Sequence, residues 1–434
     1  MNGAPDQGRG RVPSQLNDYR HALRRIPYMG VIYVVAEAAK LGYHGDHPDW
    51  CNLGQGQPEV GPLPGAPERV SALTIDPEDH AYGPVEGLPQ LRDTVANLYN
   101  HWYRQGKRSQ YSRENVAIAA GGRLALCRAI SALAPVRVGY FTPDYTAYED
   151  MLSNFDLSTP ISIPLSPESS FRIPPSELEA EVAEKGLKAL LASNPCNPTG
   201  RAVQGEELAE WVRIARERDC TLILDEFYSH YVWGDEARVS AAAHVGDVNE
   251  DPVLLFDGLT KNYRYPGWRV GWVVGPAAMI NSVTCSGSYL DGGPPRFMQK
   301  KVVEIIEPRR AEQEVQAMRV AFRAKRDLMV SRLKGMGITM PLEPEGTFYV
   351  WGSVADLPEP LNDGFTFFRR GLEYRVLTVP GEFFDVNPGK HRPAPGPCAP
   401  FVRFSYGPPM ATVEKGLDRL EAMIRAARSM GNKQ

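Results

Sequence analysis

The sequence predicts an α/β protein: a mainly parallel central sheet flanked by helices, with a smaller α+β domain attached. Three observations predict it. Between Val116 and Leu224, short apolar runs alternate with amphipathic stretches, at a spacing that calls for crossover connections. At 434 residues the chain is too long for one small core and fits two domains, or one large domain with a satellite. After a long charged helical stretch from Pro308 to Leu333, the strand signals near 348–350, 376–379 and 401–404 no longer alternate regularly with helices.

Taken in order, Ser14 to Leu41 carries helical spacing with a break near Pro27 or Gly30. A short strand opens Cys51-Asn-Leu-Gly-Gln-Gly-Gln-Pro58, followed by the proline- and glycine-rich loop 61–67. Gly87 to Gln105 places Leu88, Leu91, Val95, Leu98 and Tyr99 on one helical face. Next come a strand at 116–120, a helix at 123–133 and a strand at 136–141. A helix at 148–155, a strand at 187–192, a helix at 205–218 and a strand at 221–224 complete the alternation. Apolar runs at 253–256 and 270–274 flank a loop, and a last helix spans 412–428. The expected organisation is a flexible tail at 1–15, a large domain at 76–307, and a smaller one assembled from 16–75 and 308–434.

Composition excludes several classes. A hydrophobic content of 43% and a charged content of 23% are ordinary for globular chains. The formal net charge of -4 argues against a nucleic-acid binder, which would show a basic stripe. No apolar run approaches the roughly 20 residues of a membrane span. Met1 to Ser14 is rich in Gly, Pro and Arg and lacks the apolar core of a secretory signal. The six cysteines form no close pair and no metal-ligand spacing, so no metal is expected and a reducing cytoplasm is.

The chemistry concentrates in loops that follow strands, where parallel sheets bind ligands. Lys261 lies on an expected exposed loop, and Arg269 eight residues later, after a Pro-Gly turn, at the start of a strand. A fixed amine beside a guanidinium suits a ligand with an aldehyde and a phosphate. A solvated lysine and a surface arginine account for that stretch equally well. Gly121-Gly122-Arg123 opens a helix, so free N–H groups there can cradle a phosphate, though such a turn is often only a turn. Tyr145 follows a Pro-Asp turn, where it can stack on a ring or simply pack. Two Asn-Pro pairs at 194–195 and 197–198 make a rigid loop. Asp225 ends a buried strand, a costly place for a carboxylate without a cation, and Tyr228 follows it.

Asn194-Pro-Cys-Asn-Pro-Thr-Gly200, then Asp225-x-x-Tyr228, then Lys261 with Pro266-Gly-x-Arg269-x-Gly271 resembles the class I/II aminotransferases, pyridoxal 5′-phosphate (PLP) enzymes of fold type I. The resemblance spans the chain from about Tyr28 onward. It implies that Lys261 is the Schiff-base lysine and general acid/base, and that Asp225 pairs with the pyridinium nitrogen. Asn197 and Tyr228 would bond the ring oxygen, and Tyr145 would stack on the ring. Gly121, Gly122, Arg123 and Arg269, with Thr260 beside the lysine, would hold the phosphate. Tyr82 resembles the tyrosine lent to the neighbouring subunit's phosphate. Arg403 would clamp the substrate carboxylate beside the Gly56 backbone, with Asn197 at the same end. A homodimer with shared active sites follows from the same resemblance.

The implied reaction moves the amino group of an α-amino acid to a 2-oxo acid. A lyase or synthase of the aminocyclopropane-carboxylate synthase type uses the same residues and is the alternative. A regulator built on this fold would carry a DNA-binding domain ahead of it, and only a short tail stands there. Departures from the pattern are Thr260, where serine is common, and the bulky Arg123. No arginine stands between Ser286 and Gly292, where dicarboxylate-specific members place one. The Tyr289–Pro295 loop is expected to individualise the pocket.

Overall fold

The computed structural model describes residues 26–431 apart from positions 46, 156 and 391–394, so the expected tail and much of the first helical stretch lie outside the described residues. The chain opens with α1 (Gly30–Ala39), β1 (Cys51–Asn52), α2 (Pro89–Tyr103), β2 (Val116–Ala119) and α3 (Gly122–Ser131). It continues through β3 (Arg137–Thr142), α4 (Ala147–Asn154), β4 (Thr159–Pro164), α5 (Pro175–Glu184) and β5 (Ala189–Ser193). Then come α6 (Gly205–Glu217), β6 (Thr221–Asp225), β7 (Val253–Gly258) and β8 (Gly271–Val274). Helices α7 (Ala277–Leu290), α8 (Arg296–Ile305) and α9 (Pro308–Gly335) lead to β9 (Tyr349–Ser353) and α10 (Gly364–Glu373). Last are β10 (Val376–Leu377), β11 (Val379–Pro380), β12 (Phe401–Ser405) and α11 (Met410–Gly431).

Seven strands form the main sheet in the order β2-β8-β7-β6-β5-β3-β4. Strands β4, β3, β5, β6 and β7 run parallel, and β8 runs antiparallel to both β7 and β2. Apolar residues fill the central strands on both faces, as a sheet sandwiched between helices requires. A three-stranded antiparallel sheet, β11-β12-β9, and the short parallel pair β1-β10 lie apart from it in the topology.

Several elements differ from the sequence expectation. Prolines at 160 and 164 hide β4, which tolerates them because it is the edge strand. The apolar run at 376–379 divides in two: Val376–Leu377 pairs with β1, and Val379–Pro380 pairs with β12. The Lys261 loop is not exposed, since Asn262 and Arg264 beside it are 0% accessible. Arg269 does not start a strand: it is left-handed (φ 53) after a short turn of helix at Pro266–Trp268, and β8 begins at Gly271.

Candidate active site

A cavity of about 420 Å³ opens beyond the carboxyl ends of the parallel strands. The ends of β2, β3, β5, β6 and β7 deliver side chains to it. Arg123 comes after β2, Tyr145 after β3, Asn197 after β5, and Asp225 with Tyr228 from the end of β6. Thr260, Lys261 and Arg269 come from the connection between β7 and β8. Gly56, Arg403 on β12 and Tyr349 on β9 close the opposite side.

Lys261 reaches across the cavity and its Nζ donates to the Gly56 carbonyl. Burial, with Arg403 and Arg123 nearby, lowers its pKa from 10.5 to about 7. An amine of this kind is largely available as a base or nucleophile near neutral pH.

Asp225 ends β6 with its carboxylate in the cavity wall. Its Oδ2 accepts from the Tyr148 hydroxyl at 3.0 Å and its Oδ1 from the Phe227 N–H at 3.3 Å. Burial raises its pKa from 3.8 to about 6, against these donors and Lys261. Among the described residues no ion pair reaches it, so a cationic group in the cavity would find a ready partner.

The opposite charge stands in the same condition at Arg403. This guanidinium is only 2% exposed. Its Nη1 donates to Asn197 Oδ1 and its Nη2 to the Gly54 carbonyl, each at 2.8 Å, while its Nε has no partner. Two other buried arginines are neutralised, Arg128 by Asp291 and Arg264 by Glu314, and a third, Arg104, is held by backbone carbonyls alone. Among the described residues no carboxylate pairs with Arg403. A buried cation without an anion is costly and is suited to binding one.

The N-terminus of α3 opens onto the cavity, with Gly122 and Arg123 in its lining. Gly121 caps the helix with φ 95, and a Cβ there would strike the Arg269 guanidinium. Glycine therefore lets Arg269 lie against the helix end, where free N–H groups and the dipole favour an anion. Arg123 Nε donates to the Tyr145 hydroxyl at 2.9 Å, fixing a second guanidinium at the rim.

Three supporting residues escaped the sequence reading. Tyr148 follows Tyr145 by one helical turn, and only the fold shows it under Asp225. Asp144 accepts from the Tyr145 N–H at 2.7 Å and from the Ser193 N–H and hydroxyl, and Ser193 in turn accepts from the Asn197 N–H at 3.1 Å. Burial raises Asp144 to about 7. Tyr349 reads in sequence as a core aromatic. The two Asn-Pro pairs divide their work: Asn194 binds the Val203 backbone, and Asn197 faces Arg403.

Two stretches singled out in the sequence do not line this chain's cavity. Tyr82 is 97% exposed and does not line this chain's cavity. None of the cavity-lining residues comes from 289–295: Leu290 ends α7, and Asp291 neutralises Arg128 instead of shaping a pocket.

A family model described as aminotransferase class I and II matches residues 48–420. An aspartate aminotransferase of Pyrococcus abyssi is 27% identical over 382 residues, 87% of this chain and 92% of that protein. A valine–pyruvate aminotransferase of Mycobacterium tuberculosis is 28% identical over the same shares. In fold, the chain is similar to an aminotransferase structure from Mycobacterium tuberculosis, with a TM-score of 0.75 at 24% identity over 92% of this chain and 97% of that one. The Thermus thermophilus aspartate aminotransferase with maleate gives a TM-score of 0.74 at 24% identity, over the same shares.

Proposed function

Since the chain belongs to the class I and II aminotransferases and transfers amino groups from amino acids to 2-oxo acids, we propose that this cavity is its active site and that Lys261 carries the cofactor, pyridoxal 5′-phosphate. One observation carries the reading. A lowered-pKa amine, a buried carboxylate without a cation and a buried guanidinium without an anion face one cavity.

The residues fit the cofactor's chemistry. Lys261 would take its aldehyde and Asp225 its protonated ring nitrogen. The ring oxygen would lie near Asn197 and Tyr228, and the ring face against Tyr145. Gly121, Gly122, Arg123, Thr260 and Arg269 would hold the phosphate. When bound, the cofactor supplies a carbonyl for the amine and an electron sink for the bond broken at Cα.

The chain's own groups do the rest. Arg403, beside Asn197 and the Gly56 backbone, holds the substrate carboxylate and so aligns the Cα–H bond. Once the substrate amine has taken its place at the cofactor's carbonyl, Lys261 is freed as a neutral amine, would take that proton and could return it at a different atom. Asp225, as the carboxylate, would keep the cofactor's ring nitrogen protonated. Tyr82, outside the cavity of its own chain, would reach the phosphate of the partner subunit in a homodimer. A larger domain at 76–307 and a smaller one from 16–75 and 308–434 belong to the same proposal, supported by the separate sheets. All six cysteines are free, which supports a reducing, cytoplasmic setting. Among the described residues no helix is long and apolar enough to cross a membrane.

The test is a single turnover of holoprotein with a panel of amino acids and no acceptor. The expected outcome is a stoichiometric 2-oxo acid, with the amino group retained on the enzyme until a 2-oxo acid removes it. A substrate that instead loses a side-chain group, with no amino group retained, would make the chain a lyase or synthase on the same frame.

A further inference from the structure

We propose that Tyr349 is a positioning residue that holds the Arg403 fork ready for the substrate carboxylate and ties it to the phenol of Tyr228. The placement begins with strand register. Strands β9 and β12 pair antiparallel with Arg403 opposite Trp351 and Ser405 opposite Tyr349. Side chains two residues apart share a face, so Tyr349 and Arg403 are diagonal neighbours on one face, within reach for long side chains.

The Arg403 guanidinium carbon lies 3.9 Å from the centroid of the Tyr349 ring. At that distance the ring's negative face attracts the cation without using any N–H. A carboxylate in the same place would neutralise Arg403 and compete with substrate. The Tyr349 ring, with the Phe384 ring farther off at 5.0 Å and the neutral acceptors Asn197 Oδ1 and Gly54 O, stabilises the buried charge and leaves Nε open.

The other end of Tyr349 faces the cofactor side of the cavity. Its hydroxyl is 2.7 Å from the Tyr228 hydroxyl, and both phenols are buried. A Cβ built on Gly56 would stand 3.3 Å from the Tyr349 hydroxyl, so the wall that accepts from Lys261 also abuts this ring. One tyrosine thus touches the carboxylate end and the ring-oxygen end of the site. Its hydroxyl fixes the tilt of the ring on which Arg403 rests, and it restricts the proton position on Tyr228.

This inference rests on the roles proposed for Arg403 and Tyr228, and its test separates the two failures. The probes are Tyr349→Phe, which keeps the ring and volume, and Tyr349→Leu, which removes the ring. The readouts on holoenzyme are KM and kcat for an amino acid, the ratio of its kcat/KM to that of the matching amine without a carboxylate, and the pH midpoint of the visible band. Tyr349→Phe should hold KM within about threefold, and should move the band's midpoint by about half a pH unit or more as Tyr228 loses its partner. Tyr349→Leu should raise KM about tenfold or more and cut the carboxylate preference in proportion. An unmoved midpoint in the Phe variant, or an unchanged carboxylate preference in the Leu variant, overturns the proposal. If the wild type itself handles the amino acid and the amine equally, the assignment of Arg403 fails, and the proposal with it.

Discussion

The Tyr148 hydroxyl lies 3.0 Å from Asp225 Oδ2 and donates to it from the first turns of α4. That contact lowers the Asp225 pKa against the effect of burial. Tyr148→Phe should therefore raise the Asp225 pKa above about 6, leaving less carboxylate at neutral pH. We expect kcat at pH 7 to fall about tenfold, in line with loss of one hydrogen bond to a charged group, and to recover part of the loss toward pH 8.5. A pH–rate profile checks this, and a flat profile displaced downward would assign Tyr148 to packing alone.

Lys261 should announce itself by its pH dependence. Its pKa is lowered to about 7, so the attacking neutral amine grows as pH rises through that value, not through 10.5. The rate at which apoprotein takes up pyridoxal phosphate should have a midpoint near pH 7. Borohydride should then fix the label on the Lys261 peptide, and Lys261→Ala should take up none there. The same shift sets a stability sign. The folded state binds fewer protons at this site than the unfolded chain, so its contribution becomes more favourable as pH rises from about 7 toward 10.5.

Arg403→Lys keeps the charge but loses the fork, and its shorter reach cannot satisfy both Asn197 and Gly54. A fall of about a hundredfold in kcat/KM for amino acids is expected, equal to roughly 3 kcal/mol. Cofactor content, read from the visible band, should stay near that of the wild type. Loss of cofactor along with activity would place Arg403 in the cofactor site.

Gly121→Ala puts a methyl group where the Arg269 guanidinium lies, in a backbone conformation (φ 95) that side chains resist. Pyridoxal phosphate should bind about tenfold or more weakly, while pyridoxal, which lacks the phosphate, should be affected much less. Equal losses for both ligands would show that the change disturbs the fold and not the phosphate site.

Tyr82 gives the test of assembly. Its 97% exposure in the single chain fits a side chain that works in the partner subunit. When impaired Tyr82→Ala and Lys261→Ala proteins are mixed and refolded, random pairing should restore about a quarter of the native sites. Analytical ultracentrifugation of the holoenzyme should show a dimer, and an active monomer would refute the sharing.

Much of the frame was legible because hydrophobic period and loop chemistry agree along the parallel strands. The runs leading to Asn197, Asp225 and Lys261 each read as a strand ending in polar residues, and those residues do meet at one cavity. What stayed hidden depends on pairing between distant segments. Tyr349 looks like any buried aromatic until the β9–β12 register sets it beside Arg403. Tyr148 becomes informative only when α4 packs its phenol under β6. Strand β4 was missed because its prolines argue locally against a strand, although the edge position permits them. The exposed loop expected around Lys261 failed for a similar reason: Arg264 on that loop is buried and paired with Glu314 on α9, a contact between distant segments.

The stretch from Leu53 to Gly56 meets three separate partners through its main chain. The Leu53 carbonyl accepts from the Ser405 N–H, that of Gly54 from Arg403, and that of Gly56 from Lys261. No substitution can delete a carbonyl. Residues 55 and 57 can therefore drift in identity while these acceptors persist, and an alignment of side chains would understate what the segment does. Insertions and deletions are another matter. One residue gained or lost between 53 and 56 would slide the acceptors past their donors, so in this chain tolerance to length change, not to substitution, marks where the backbone itself is part of the site.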